Sequence, residues 1–420
     1  MAQMQPVRGT HDLLPAEMRR HRQVVETARE IAERYGYLLM STPIFEFTEV
    51  FKRTLGDTTD IVTKEMYSFE ARETEGEGGG QSITLRPENT ASVVRAFLSN
   101  KLTQDLPQRF FYAGPMFRRE RPQKGRQRQF HQIGVELFGV AEPAGDVEVI
   151  ACGQHIIEEL GFAEHIALEL NTLGDQESRA AYRTALIDYF QAHREGLSAD
   201  SRERLERNPL RILDSKDPGD RTVVAGAPAF AAHLTAAASD FFAAVKAGLD
   251  SLGIAYKLNP HLVRGLDYYC HTAFEFTTDR LGAQGTVMGG GRYDYLVETM
   301  GGPPTAGVGW AAGVERLAMM LAADPPAPRL VALVPIGEAA EAAALPLAQR
   351  LRKAGVAVEL AASGNVKKRM KRADRIGAYA AILLGEEELA TGEATVKTLA
   401  DGSQQRVAQD RLPELLAALR

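Results

Sequence analysis

The chain has 420 residues, 45% of them apolar and 25% charged, which at ~150 residues per domain suggests two or three ordinary globular domains. Its two cysteines, Cys152 and Cys270, show no CxxC spacing, so neither a disulfide framework nor a cysteine zinc site is expected. The net charge of −6 argues only weakly against nucleic acid, because positions 326–420 carry 14 Lys+Arg against 11 Asp+Glu, a net +3, and the remainder carries −9; local patches decide such binding more than totals do.

The opening MAQMQPVRGTHDLLP lacks the apolar run of a signal peptide. No stretch approaches the ~20 apolar residues of a membrane span. A cytoplasmic protein without membrane contact is the expectation.

In chain order, Val24, Ala28, Ile31 and Tyr35 recur at helical spacing and predict a helix over Glu17–Tyr35. Strand character follows over Gly36–Phe51, around Pro43. The segment Glu75–Gly80, EGEGGG, reads as a loop tip. Next come a short strand at Ser82–Pro87 and a helix over Asn89–Asn100. Gln108–Met116 and Gln129–Val140 alternate as two strands joined by the basic segment Arg118–Arg128. A helix over Glu142–Leu160 and a strand at Ile166–Leu170 follow. Residues 175–255 read as mostly helical, an inserted unit without chemistry-bearing motifs. Strands return at Thr272–Thr277 and Thr286–Met288, Gly289–Gly291 reads as a tight turn, and Ala311–Leu321 reads as a helix. After the linker Asp324-Pro-Pro-Ala-Pro the pattern becomes strand, helix, strand, helix, strand, a small α/β unit with a largely parallel sheet.

The chemistry concentrates at Phe117–Gln132. Positions 118 to 128 hold six basic residues and one acid. Guanidinium forks suit phosphate oxygens; a solvated loop is the alternative. Strand alternation puts Phe130, Gln132, Gly134, Glu136 and Phe138 on one face. Gln132 and Glu136 are costly in a core unless paired, and useful in a pocket. A second cluster, Leu262-Val-Arg-Gly-Leu-Asp-Tyr-Tyr, places Arg264 before two tyrosines; a turn with core tyrosines is its alternative. The third is Gly307-Val-Gly-Trp-Ala-Ala-Gly-Val-Glu-Arg, where Gly307 and Gly309 let a backbone approach a ligand and Arg316 sits on a following helix. Gly313 comes one residue late for a dinucleotide fingerprint, and no phosphate loop of the G-x-x-x-x-G-K-[ST] type occurs.

Together with Pro6-Val-Arg-Gly-Thr-His-Asp, Arg86-Pro-Glu-Asn-Thr-Ala and Gly289-Gly-Gly-Arg-Tyr-Asp, these segments resemble the class II aminoacyl-tRNA synthetases and, within them, the histidyl-tRNA synthetase family, over essentially the whole chain. The resemblance implies an α/β protein. Its α+β catalytic domain would span 1–325, with a mostly antiparallel sheet, flanking helices and a helical insert at about 175–255, and an α/β anticodon-binding domain would span 328–420. It implies ATP-dependent activation of L-histidine and transfer of the histidyl group to tRNA-His by a homodimer. ATP with Mg²⁺ would be a substrate, and no structural metal or tightly bound cofactor is expected. By the same resemblance, Arg118 and Arg264 are catalytic, and Arg118, Arg126, Phe130 and Arg316 hold ATP. Glu88, Thr90 and Gln132 receive the substrate ammonium, and Glu136, Tyr268 and Tyr269 surround the imidazole. Gln123 meets the tRNA acceptor end, and Pro43 lies at the dimer interface. Lys368 and Arg372, in a basic run with Lys367, Arg369, Lys371 and Arg375, face the tRNA; a solvated helix face is the alternative.

The expected departures are the long Glu75–Gly80 loop and Tyr295, where the family pattern has glycine. Nine histidines lie without metal spacing, and His131 alternates away from the ligand face. The competing readings are a histidine-binding regulatory paralogue of the ATP phosphoribosyltransferase complex, which lacks an anticodon domain, and a tRNA-binding scaffold with a dead site.

Overall fold

The computed structural model describes residues 3–56, 59, 61–70, 82–121, 125–207, 209–213, 215–263, 266, 268–282, 285–361 and 363–419. The chain divides into two compact units, Met1–Pro325 and Pro326–Arg420.

The first unit begins with α1 (Pro15–Arg34), β1 (Leu38–Leu39), β2 (Phe45–Phe47), α2 (Thr48–Leu55), β3 (Tyr67–Glu70), β4 (Ser82–Leu85) and α3 (Thr90–Ser99). It continues with β5 (Gln108–Phe117), β6 (Gln129–Phe138), α4 (Pro143–Glu159) and β7 (Ala167–Thr172). The helices α5 (Gln176–Ala192), α6 (Ala199–Arg207), α7 (Pro218–Val224) and α8 (Ala236–Ser251) follow. It closes with β8 (Tyr256–Leu258), β9 (Cys270–Thr277), β10 (Thr286–Arg292), α9 (Leu296–Thr299), β11 (Gly307–Gly313) and α10 (Val314–Met320).

Among the described residues, eight strands form one sheet in the order β1-β5-β6-β11-β10-β9-β7-β8. Only the edge pairings β1–β5 and β7–β8 are parallel in it. The unit is therefore mixed α/β with a large, mostly antiparallel sheet. Alternation along β6 sorts its side chains as expected: Ile133, Val135 and Leu137 enter one core with Val24, Ala28 and Ile31 of α1 and with Val149, Ile150 and Ile156 of α4. The opposite face meets a second cluster that holds Phe97, Phe138, Tyr269 and Tyr293. The helical segment has a core of its own, built from Tyr182, Leu186, Phe190, Leu205, Ile212 and Phe230. Its last helix, α8, belongs elsewhere: Val245 and Leu249 join the core shared by α1 and α4.

Three sequence expectations need correction. Gly289–Gly291 is not a turn but the middle of β10, paired with Phe274 and Ala273 on one side and Trp310 and Gly309 on the other. Glycine fits there because a Cβ on Gly290 would stand 2.0 Å from the Gly309 carbonyl oxygen. The expected helix at Ala311–Leu321 starts later, since Gly307–Gly313 is strand β11, paired on both sides; its small residues carry no alternation to read. Strand character at Gly36–Phe51 gives way to α2 from Thr48 onward.

The second unit contains β12 (Val331–Pro335), α11 (Glu338–Lys353), β13 (Val358–Leu360), α12 (Val366–Arg375), β14 (Ala380–Leu384), α13 (Glu386–Thr391), β15 (Glu393–Thr398), β16 (Gln404–Ala408) and α14 (Leu412–Leu419). Strands β13, β12 and β14 run parallel, as expected. The added β15 and β16 are antiparallel, so the sheet is mixed rather than largely parallel.

Candidate active site

The β5–β6 hairpin pairs in continuous register from Gln108↔Phe138 to Phe117↔Gln129. On its far side β6 pairs with β11, Glu136 opposite Gly309 and Gln132 opposite Gly313. This sheet forms one wall of a cavity of about 240 Å³, whose lining includes Glu88, Thr90, Arg118, Arg126, Gln132 and Tyr269.

One end of the cavity is carboxylate and phenol. Glu88 is buried and accepts hydrogen bonds from the Thr90 and Ala91 amides at 2.7 and 2.9 Å, at the start of α3. Burial pushes its carboxyl pKa up, and those two amides pull it down. The structure places Glu136 just beneath the cavity wall rather than on it. Its Oε1 accepts from the Thr90 hydroxyl at 2.6 Å, and its Oε2 accepts from the Tyr293 hydroxyl; Thr90, Tyr293 and Gly309 line the cavity above it. Room for the carboxylate comes from Gly309, where a Cβ would fall 2.0 Å from Glu136 Oε2. Gly309 thus makes room for a side chain on the neighbouring strand, as well as lining the cavity where the sequence reading expects a ligand. Burial raises the Glu136 carboxyl pKa to about 8. Tyr268, Tyr269 and Tyr293 cluster beside it, with ring centroids 4.6 Å apart for the first pair, 5.7 Å for Tyr268–Tyr293 and 6.5 Å for Tyr269–Tyr293. On the cavity lining, the Gln132 Oε1 is buried without a hydrogen-bond partner among the described residues. Such an atom calls for a bound donor.

The other end is cationic. The Arg118 Nε donates to the Pro87 carbonyl at 2.9 Å, and its guanidinium lies 5.4 Å from the Phe130 ring centroid. Arg126 pairs with Glu120 at 2.8 Å, and Arg118 stands 3.8 Å from the same carboxylate. Arg316 donates to the Thr286 carbonyl, and its Nε reaches the Gly125 carbonyl at 3.4 Å. Burial, then the charges of Arg126 and Arg118, lower the Arg316 pKa. Three guanidiniums thus gather at this end of a partly dry cavity, where an anion is worth most.

A cavity with a cationic end and a carboxylate–phenol end suits an anion joined to, or meeting, a small cationic molecule. Comparison with known proteins narrows that chemistry. The family profile described as Histidyl-tRNA synthetase matches residues 9–317, and the profile described as Anticodon binding domain matches residues 330–419. Histidine–tRNA ligase of Gluconacetobacter diazotrophicus is 60% identical over 419 residues, covering 100% of both chains. That of Rhodospirillum rubrum is 60% identical over 418 residues, covering 99% of each. The crystal structure of apo S. aureus histidyl-tRNA synthetase superposes with a TM-score of 0.82 at 34% identity, covering 98% of this chain and 99% of that one.

The chain belongs to the histidyl-tRNA synthetase family.

Of the residues that this family resemblance singled out, the fold gathers Arg118, Arg126, Phe130, Arg316, Glu88, Thr90, Gln132, Tyr268 and Tyr269 around one cavity, with Glu136 directly behind it. Arg264 and Gln123 lie outside the described residues, as does the Glu75–Gly80 loop. Pro43 is exposed, in a stretch where Leu38, Leu39, Ile44, Phe45 and Phe47 are exposed too. Tyr293 is the site residue that sequence reasoning missed. Its segment stands out for its glycines, and nothing along the chain signals that its hydroxyl reaches a residue 157 positions away. His131 does not line the cavity, in keeping with its alternation: its Nδ1 and Glu315 Oε1 are 2.9 Å apart, and Glu315, which does line the cavity, also accepts from the His131 amide. The fold brings His21 close to this pair, with its ligand atoms within 4.8 Å of theirs, a proximity that spacing along the chain cannot reveal.

In the second unit α12 presents Lys367, Lys368, Lys371, Arg372 and Arg375 on its exposed side. Arg369 is buried instead, donating to the Pro335 carbonyl and pairing with Glu341. Arg372, though exposed, pairs with Glu359.

Proposed function

We propose that the chain activates L-histidine with ATP and passes the histidyl group to the 3′ end of tRNA-His. The carrying observation is the single cavity with an arginine end and a carboxylate–phenol end, in a chain 60% identical over its full length to histidine–tRNA ligases. In the first step a histidine carboxylate oxygen attacks the α-phosphorus of ATP, and the bond to the pyrophosphate leaving group breaks. Both reactants are anionic. Arg118 and Arg316 offset their repulsion and stabilise the charge that develops on the phosphoryl oxygens. Phe130 offers a face for the adenine, and Arg264 is assigned the α-phosphate and carboxylate by family resemblance. Mg²⁺ arrives with ATP as part of that substrate.

Histidine places its ammonium near Glu88, Thr90 and the unpartnered Gln132 Oε1, and its imidazole among Tyr268, Tyr269 and Tyr293. When Glu136 is ionised, the Thr90 and Tyr293 hydroxyls both donate to it, so their lone pairs turn toward the cavity to accept ligand N–H groups. Glu136 thereby sets the hydrogen-bonding sense of the wall. A site built this way rejects side chains that lack ring N–H groups, because its buried acceptors would go unpaired. In the second step a terminal ribose hydroxyl of the tRNA attacks the activated carbonyl and displaces AMP, with a substrate phosphate oxygen taking the proton.

The chain works as a cytoplasmic homodimer, with the exposed apolar stretch around Pro43 as its interface. Residues 1–325 form the catalytic domain, and 328–420 form the anticodon-binding domain. Lys368 and Arg372 contact the tRNA backbone, and the loop with Gln123 meets the acceptor end. The regulatory reading is disfavoured by the match of residues 330–419 to an anticodon-binding domain and by the arginines that remain at the cavity. The deciding measurement is ATP–pyrophosphate exchange with all twenty amino acids. Histidine-dependent exchange is expected, and better exchange with any other amino acid would overturn the assignment.

A further inference from the structure

The helical segment meets the active-site wall along a short stretch of backbone at the start of β9. The Leu173 amide donates to the His271 carbonyl at 2.6 Å, and the His271 amide donates to the Gly174 carbonyl at 2.8 Å. From the first turn of α5, Arg179 Nη1 donates to the Tyr269 carbonyl at 2.8 Å. His271 has φ +43°, a left-handed conformation that a residue with a Cβ keeps only where its surroundings over-determine it. Two of the three bonds hold His271, and the third holds Tyr269 two residues earlier. Beyond Arg179, α5 contributes Tyr182, Leu186 and Phe190 to the core of the helical segment. Next to it, the Tyr295 phenol faces the Gln176 backbone and the Asp175 carboxylate at the start of α5.

On the cavity side, Tyr269 is wedged. A Cβ on Gly291 would stand 2.9 Å from its ring, and its neighbours are the rings of Tyr268 and Tyr293. The ring has little freedom except through its own backbone. Where the phenol stands therefore depends on how that backbone is held, and Arg179 is one of the groups that hold it.

We propose that Arg179 is a positioning residue for the amino-acid end of the cavity, holding the Tyr269 carbonyl so that the helical segment becomes part of the wall that selects histidine. This rests on the histidine-activating function argued above. A guanidinium bond to a partly buried carbonyl is charge-assisted, and removing the donor costs the carbonyl that bond. The cationic end is held differently, through Pro87, Glu120, Gly125 and Thr286. Loss of Arg179 therefore weakens histidine binding selectively.

The test is steady-state ATP–pyrophosphate exchange by the full chain, with Arg179→Met and Arg179→Lys beside wild type. Arg179→Met is expected to raise KM for histidine about tenfold or more while KM for ATP stays within about twofold, as loss of one charge-assisted bond predicts. Arg179→Lys, which keeps a cation and a donor, recovers part of the loss. If Arg179→Met does not fold, Arg179→Lys decides alone: a rise of about threefold confined to histidine supports the proposal. An unchanged KM for histidine, or equal rises for both substrates, overturns it. Wild-type protein without histidine-dependent exchange overturns the underlying function and the proposal together, whereas an active wild type with an indifferent variant overturns the proposal alone.

Discussion

Glu136 is a buried group whose proposed part in specificity is tied to its part in stability. Its carboxyl pKa is raised from 4.5 to about 8, chiefly by burial and against the pull of the Thr90 and Tyr293 hydroxyls. The folded chain thus holds this proton more tightly than the unfolded chain. The resulting stabilisation is fully present below the ordinary carboxylate range and is lost as pH rises toward about 8. Glu136→Gln, which has no charge to bury, is expected to melt higher than wild type at pH 8.5 in the absence of substrates, by differential scanning fluorimetry; a lower melting temperature would show that the carboxylate is compensated where it stands. The same variant is expected to raise KM for histidine about 100-fold, as loss of a buried polar network at a selective site does. In wild type, KM for histidine should fall as pH rises through about 8, where Glu136 ionises, above the range in which free imidazole titrates; the variant's profile should be flat there. At the cationic end, Arg118→Ala should lower the exchange kcat by about 10²- to 10³-fold, typical for one preorganised donor. Its circular dichroism should be unchanged, because among the described residues the side chain's hydrogen bond to the fold is a single one, to the Pro87 carbonyl.

Among elements, β11 carries the clearest demand. Its glycines are placed for the neighbours: a Cβ at Gly309 would stand 2.0 Å from Glu136 Oε2 and 2.4 Å from the Val135 carbonyl oxygen, and one at Gly307 would stand 2.4 Å from the Tyr293 ring. At Gly313 the nearest atom is the flexible Arg316 side chain at 3.6 Å. Gly309→Ala is therefore expected to cost several kcal/mol of stability, in the range of buried overpacking, and to abolish histidine-dependent exchange. Gly313→Ala, four residues along the same strand, should change stability by less than about 0.5 kcal/mol. Comparable urea midpoints for the two variants would contradict this reading of the strand. The β5–β6 hairpin was legible in advance because its ten-residue strands alternate. Of β10 only Thr286–Met288 was legible as strand; the rest of it and β11 were not, because glycine and alanine leave no period-two pattern.

At the scale of the whole molecule, the proposed function gives the first unit the chemistry and the second unit contacts with the tRNA backbone. Lys368→Glu with Arg372→Glu is expected to raise KM for tRNA in aminoacylation about tenfold, with a weaker salt dependence, while leaving ATP–pyrophosphate exchange unchanged. Arg369→Glu is expected to act otherwise: its side chain is buried against Glu341 and the Pro335 carbonyl, so reversal sets two carboxylates together and unfolds the second unit. Equal effects of the two sets on tRNA affinity and none on folding would make α12 a uniformly solvated face. The sequence showed a basic helix here; only the fold shows that one of its six cations points inward.

What the sequence determined by itself was local and periodic: the α1 stripe, the alternating hairpin with its two faces, the arginine-dense connection between the strands, and motifs specific enough to name a family. These follow from side-chain patterns a few residues apart, which the backbone's two periodicities convert directly into faces. Tertiary structure decided what depends on partners far along the chain. It set Glu136 behind the wall and gave it Tyr293, made Gly309 the space for a carboxylate, turned Gly289–Gly291 from a turn into a strand, and tied Tyr269 to Arg179 of the helical segment. Each is a question of which atoms fill a given space, and spacing along a chain does not record the answer.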